Sequence, residues 1–233
     1  MLSVKDRSGV VALIPAFNEA GAIASVVHET QAYLPVIVVD DGSADATARL
    51  AEEAGAVVLR QSPNQGKGAA LRRGFEYALQ RGYEAVVMLD ADGQHDPHEI
   101  PLFIQAYQKD QARLVIGARQ YNQMPLHRRF SNTIGRAVLS WALGQYVLDN
   151  QSGYRLVHRD LMEAMLPSHE QRFEFEVEMV AKAIQAGMKL DWVPIRTIYT
   201  GGKSHISPLK HIYNFFRIAW EVRRKAPSGK SRL

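Results

Sequence analysis

The sequence predicts an α/β protein built on a mostly parallel sheet with helices on both of its faces. Three observations support this. Short apolar runs alternate with helical patterns through the first half of the 233 residues. The runs are apolar at every position rather than every second one, as in strands covered on both sides. Acidic and amide residues follow directly on several runs, at the strand ends where open sheets of this class bind ligands.

The elements follow in order. Residues 10–14 form the first strand, and 19–33 a helix starting near Asn18. Residues 36–39 are the next strand, ending in Asp40-Asp41-Gly42-Ser43. A helix over 45–54 leads to an extended stretch at 57–59. The loop Asn64-Gln65-Gly66-Lys67-Gly68 opens a helix over 67–80. Residues 85–89 are a strand running into an acidic cluster, 99–108 a helix and 114–117 a further strand. Beyond Gly117 the spacing predicts helices over 130–143 and 173–185, and extended segments over 153–157 and 190–193. This half continues the same domain. No repeat or linker interrupts residues 1–226, and 227–233 read as a disordered tail.

Composition narrows the function classes. The chain is 46% hydrophobic and 22% charged, ordinary for a globular protein. It has no cysteine, which excludes disulfides, thiolate metal sites and cysteine nucleophiles. Met1 to Ser8 is short and polar, so no signal peptide is expected. No apolar run approaches the roughly 20 residues of a transmembrane helix. The net charge of +4 is modest, but residues 203–233 hold eight Lys or Arg and one acid, Glu221. Within them, 208–225 spaces Leu209, Ile212, Phe215, Phe216, Ala219, Trp220 and Val222 on one helical face edged by cations. That pattern suits an interfacial membrane helix or a terminal helix packed on the domain. No nucleic-acid partner is expected.

The chemistry is concentrated in Asp90-Ala91-Asp92-Gly93-Gln94-His95-Asp96. Carboxylates this close repel one another and need a counter-charge. Hard oxygen ligands suit Mg²⁺ or Mn²⁺, and a divalent ion beside a strand end is suited to gripping a diphosphate. The plain alternative is a helix cap, since Asp96-Pro97 fits an N-cap and first helical residue. Both roles can coexist.

Four motifs in this order, Ile14-Pro15-Ala16-Phe17-Asn18-Glu19, Val38-Val39-Asp40-Asp41-Gly42-Ser43, Asn64-Gln65-Gly66-Lys67-Gly68 and Asp90-Ala91-Asp92-Gly93-Gln94, resemble those of family 2 glycosyltransferases. The subgroup they resemble most is dolichyl-phosphate mannose synthase and its bacterial polyprenyl-phosphate relatives. Gly117-Ala118-Arg119, Asp149 with Ser152-Gly153-Tyr154-Arg155, and Lys203-Ser204-His205 extend the likeness. It implies the GT-A fold, with a Rossmann-like central sheet. It also implies transfer of a hexose from a nucleotide-diphosphate sugar, GDP-mannose or UDP-linked, with inversion.

By the same resemblance, Pro15, Phe17, Glu19, Val39, Asp40 and Asp41 would line the base and ribose pocket. Phe17 stands where many members have tyrosine. Asp92 and Gln94 would hold Mg²⁺ or Mn²⁺, while Asp90 and Ala91 contact the nucleotide-sugar. Lys67 would add charge near the diphosphate, or is a solvated lysine at a helix start. Arg119, Arg129 (or Arg128 beside it) and Ser131 would bind the acceptor phosphate. The mannose synthase group carries Arg and Lys around a closing loop. Tyr199 and His205 stand there in this chain, leaving Lys203 or His205 to reach the diphosphate.

Two acceptors stay open. A polyprenyl phosphate is already a nucleophile at neutral pH, because its second ionisation lies near pH 6. It needs positioning rather than a base. A glycan or small-molecule hydroxyl would need one, and Asp149 is the candidate. A polyprenyl acceptor implies peripheral contact with the cytoplasmic face of a membrane, with a separate membrane protein as a possible partner. A sugar-1-phosphate nucleotidyltransferase would need a glycine-rich, lysine-containing signature after the first strand, which residues 14–21 lack.

Overall fold

The computed structural model describes residues 9–119, 140–141, 144, 148–149, 152–171, 174–196 and 198. The strands are β1 (Val10–Ala16), β2 (Val36–Asp40), β3 (Val57–Arg60), β4 (Ala85–Met88), β5 (Leu114–Arg119), β6 (Arg155–His158) and β7 (Leu190–Ile195). Helices α1 (Ile23–Gln31), α2 (Thr47–Glu53), α3 (Lys67–Gln80), α4 (Ile100–Asp110), α5 (Arg159–Met165) and α6 (Glu174–Gln185) connect them. A 3₁₀ turn, Pro97–Glu99, precedes α4.

The seven strands form one sheet in the order β3-β2-β1-β4-β6-β5-β7. Neighbouring pairs are parallel except at β6, which runs against both β4 and β5. The expected mostly parallel sheet is therefore present. Alternate residues of each strand feed two cores. Val11, Leu13, Ile37, Val39, Val86 and Met88 pack with α3, α5 and α6 on one face. Val10, Ala12, Ile14, Val36, Val38 and Val87 pack with α1 and α4 on the other. Burial on both faces is why the runs are apolar throughout.

Local differences from the sequence reading have identifiable causes. The first helix starts at Ile23, not at residue 19. Residues 18–20 turn their N–H groups to the loop after β2 and the first residue of α2: Asn18 to Ser43 Oγ, Ala20 to Asp45 and Glu19 to Thr47 Oγ1. Those bonds replace a first helical turn and fasten the end of β1 to the end of β2. Helix α5 was not anticipated. It is only seven residues long and follows β6 without a loop, so no helical period precedes it. The segment expected to be helical over 130–143 lies outside the described residues, apart from Ser140 and Trp141.

Candidate active site

Because β1, β2 and β4 are adjacent and parallel, their carboxyl ends share one edge. The acidic groups that follow them meet there. Glu19 is the gauge: burial pushes its carboxyl up, and Asp92, Asp45 and Asp90 push it further. Carboxylates from the β1, β2 and β4 ends thus feel one another. Phe17 lies at this edge with 46% of its surface exposed, Pro15 is half-buried, and Val39 and Ala91 bury their side chains in the core.

Asp41 is 3% exposed and organises the loop before α3. Its Oδ1 accepts from Gln61 Nε2 at 2.6 Å and from the Gln65 N–H at 2.8 Å. Its Oδ2 accepts from the Gly66 N–H at 2.7 Å. Gly42 must be glycine here: its φ is +78° and a Cβ would come 2.9 Å from Asn64 N. Asp40 is buried, and its Oδ1 has no hydrogen-bond partner among the described residues.

The loop after β4 is built from both sides. Asp92 Oδ1 accepts from the Gln94 N–H at 3.0 Å. Asp96 caps the 3₁₀ turn, accepting from the His98 N–H at 3.0 Å. His95 Nδ1 accepts from the Asp90 N–H at 3.0 Å, and burial holds its imidazole below the usual histidine range. The ring stacks on Tyr154 at 4.9 Å, Tyr154 stacks on Phe103 at 4.3 Å, and the Tyr154 hydroxyl donates to Asp96 O at 3.0 Å. An aromatic column thereby holds the acidic loop in place. The capping role of Asp96 is present.

Behind the loop runs a chain of alternating charges. Lys67 Nζ lies 2.6 Å from Asp90 Oδ1 and 3.0 Å from Glu176 Oε1. Burial pulls the Lys67 ammonium down, and the two carboxylates outweigh it and hold it above the usual range. Burial pushes Asp90 up, and Lys67 and His95 outweigh that and hold it below the usual range. Arg155 is fully buried, donating from Nε to Ser152 O at 2.8 Å and from Nη1 to Glu176 O at 2.6 Å. It feels the charges of Glu176, Asp149 and Asp90. At the end of β5, Arg119 grips Asp149 with two prongs, Nε to Oδ2 at 2.8 Å and Nη2 to Oδ1 at 3.0 Å.

The structure therefore brings Glu19, Asp40, Asp41, Lys67, Asp90, Asp92 and Gln94 to one sheet edge, with Arg119 and Asp149 paired nearby. Arg128, Arg129, Ser131, Tyr199, Lys203, His205, the segment 208–225 and the tail lie outside the described residues. His95 and Glu176 were not singled out in the sequence. His95 could have been noticed as the next residue of the acidic loop; Glu176 sits in an ordinary helical pattern and gives no local signal.

Among the described residues, no three His, Cys, Asp or Glu side chains converge as a metal cluster. Asp92 and Gln94 nevertheless fit a hard cation. Mg²⁺ commonly takes one or two protein carboxylates and completes its shell with phosphates and water. Glu19, raised first by burial and then by Asp92, Asp45 and Asp90, sits among carboxylates whose repulsion a cation relieves.

Fold and site together define a glycosyltransferase of GT-A architecture. The model of Glycosyl transferase family 2 matches residues 11–166, and the chain belongs to that family. It is 32% identical to an undecaprenyl-phosphate mannosyltransferase of Micrococcus luteus, over 80% of this chain and 82% of that one. It is 31% identical to a UDP-N-acetylglucosamine–dolichyl-phosphate N-acetylglucosaminyltransferase of Methanococcus voltae, over 81% and 85%. Among solved structures it is similar to glucosyl-3-phosphoglycerate synthase of Mycobacterium tuberculosis in complex with Mn²⁺ and UDP-glucose. That match has a TM-score of 0.72 at 19% identity, covering 95% of this chain and 80% of that one.

Proposed function

We propose that the protein transfers a hexose, with inversion, from a nucleotide-diphosphate sugar to a polyprenyl phosphate at the cytoplasmic face of a membrane. The observation that carries this reading is the state of the two carboxylates behind the donor edge. Asp149 is clamped by Arg119, and Glu176 is 3.0 Å from Lys67. For either to take a proton from a hydroxyl, a buried ion pair would have to be given up. A phosphate acceptor makes no such demand. The names of the Micrococcus and Methanococcus relatives, both lipid-phosphate transferases, support the same choice.

In this mechanism Asp92 and Gln94 would hold Mg²⁺ or Mn²⁺, which when bound would neutralise charge on the departing diphosphate. Lys67 adds a second positive charge on the same side, and Asp90, fixed by Lys67, orients the sugar. Phe17 offers its ring face to the base, while Glu19 and the Asp40-Asp41 pair accept from base or ribose. Arg129 and Ser131 receive the acceptor phosphate, since a guanidinium fork matches phosphate oxygens, and Arg119, kept in its pair with Asp149, adds positive charge beside them. Lys203 or His205 closes over the diphosphate. The basic segment 208–225 keeps the chain on an anionic leaflet, alone or with a membrane-protein partner. Its donor is GDP-mannose or a UDP-hexose.

A thermal-shift series with GDP-mannose, UDP-glucose and UDP-N-acetylglucosamine, with and without Mn²⁺, tests the donor half. One donor should raise the melting temperature only when metal is present. Equal shifts without metal, or none with any donor, would contradict it. Arg129→Ala should abolish transfer to a lipid phosphate, and unchanged transfer would remove the acceptor assignment.

A further inference from the structure

We infer that Glu176 is a positioning residue that aims Lys67 at the donor diphosphate, an inference that rests on the donor chemistry proposed above. An ammonium has three N–H donors. Asp90 takes one of them at 2.6 Å from the end of β4, and the Glu176 carboxylate stands 3.0 Å away on the first turn of α6 as an ion pair whose geometry falls short of a hydrogen bond. Among the described residues no other acceptor engages the ammonium, on a side chain that keeps 32% of its surface exposed at the edge where the acidic loops meet. A lysine is a flexible point charge on a four-carbon stem, so without a second anchor it swivels about the first.

Glu176 is itself held rigidly. Its side chain is 4% exposed, and its carbonyl accepts from the fully buried Arg155 at 2.6 Å. Arg155 in turn grips Ser152 O at 2.8 Å. Gly153 completes the clamp from above: a Cβ there would lie 3.0 Å from Lys67 Nζ and 3.1 Å from both Asp90 Oδ2 and Glu176 Oε1. The absence of a side chain is what lets the backbone close on the three charged groups. Gly68 does the same one residue beyond Lys67, where a Cβ would meet Glu170 O at 2.6 Å on the segment leading into α6 and Phe175 Cβ at 2.9 Å in its first turn. Its N–H also donates to Gln171 O at 2.8 Å. The start of α3 is therefore fastened to the start of α6, and Glu176 delivers that fastening to the lysine head.

The test is calorimetric binding of GDP and UDP with Mn²⁺ to the full chain, which needs no acceptor. Glu176→Gln keeps the shape and removes the charge; it should weaken metal-dependent binding of the preferred diphosphate by about 10-fold or more, the scale of one close charge pair. In a Lys67→Met background the same substitution should cost nothing further, because its target is gone. That double variant also carries no half-paired lysine, so it remains measurable if Glu176→Gln alone folds poorly. Wild-type affinity in Glu176→Gln, or losses that simply add in the double variant, would overturn the inference, as would a wild type that binds neither diphosphate. Failure of transfer to polyprenyl phosphate alongside normal diphosphate binding would count against the acceptor reading and leave this one standing.

Discussion

Asp92 and Asp90 are two residues apart in the chain, yet their surroundings divide them. Asp90 faces Lys67 at 2.6 Å and has its counter-charge. Among the described residues Asp92 accepts only from the Gln94 N–H, and no cationic side chain pairs with it. Asp92→Asn should lower turnover by about 10²-fold or more under matched metal, as for loss of one preorganised charge at a transition state. Turnover at the wild-type rate would discard its role. Gly153→Ala tests the packing of the charge clamp: with three charged atoms within 3.1 Å of the new methyl, it should cost about 1–3 kcal/mol in stability by denaturant titration. At this scale, what the sequence revealed followed chain distance. The acidic loop was legible because its carboxylates are neighbours and their repulsion asks for a remedy. Glu176 was hidden because its partner, Lys67, reaches it only through the packing of α3 against α6.

The elements tell a second part of the story in their ends. Besides the nucleoside contact proposed for it, Asp41 holds residues 61–66 through both of its oxygens. Asp41→Ala would leave the Gln65 and Gly66 N–H groups without their acceptor, at a cost of about 2 kcal/mol. A melting curve should show that loss even with no nucleotide present. His158 caps α5, its Nδ1 accepting from the Asp160 N–H at 3.1 Å. Burial, with Arg113 adding to it, holds its imidazole below the ordinary value of 6.5. The unfolded chain therefore binds the proton first as pH falls. Stability is full above about pH 6.5 and declines below it, and His158→Asn should flatten that part of the pH–stability curve. A slope unchanged by the substitution would show that other groups produce it. Strand positions were readable from two-sided burial, whereas helix starts were not. The turn at 18–20 spends its N–H groups on a loop more than twenty residues away, which no local spacing can announce.

In the whole molecule, one strand reversal shapes the site. β6 runs against β4 and β5, so its start, with Tyr154 and Arg155, lies beside the end of β4 and the acidic loop. An apolar run carries no mark of direction, and the sequence could predict a mostly parallel sheet without locating the exception. Among the described residues no helix is long and apolar enough to cross a membrane. The basic segment 208–225 is the proposed means of contact. Binding to anionic vesicles should therefore fall steeply as salt rises and be lost when Arg223, Arg224 and Lys225 are changed to Gln. Salt-independent binding would point to an apolar contact instead.

The measurement that bears most directly on the whole account is acceptor choice. The protein would be supplied with its stabilising nucleotide sugar and Mn²⁺, then offered a short-chain polyprenyl phosphate or the matching free polyprenol and simple glycans. Transfer to the phosphate alone, with the sugar's anomeric configuration inverted in the product, is the predicted result. Transfer to a hydroxyl acceptor at a comparable rate, abolished by Asp149→Asn, would contradict it and give Asp149 back its place as the base.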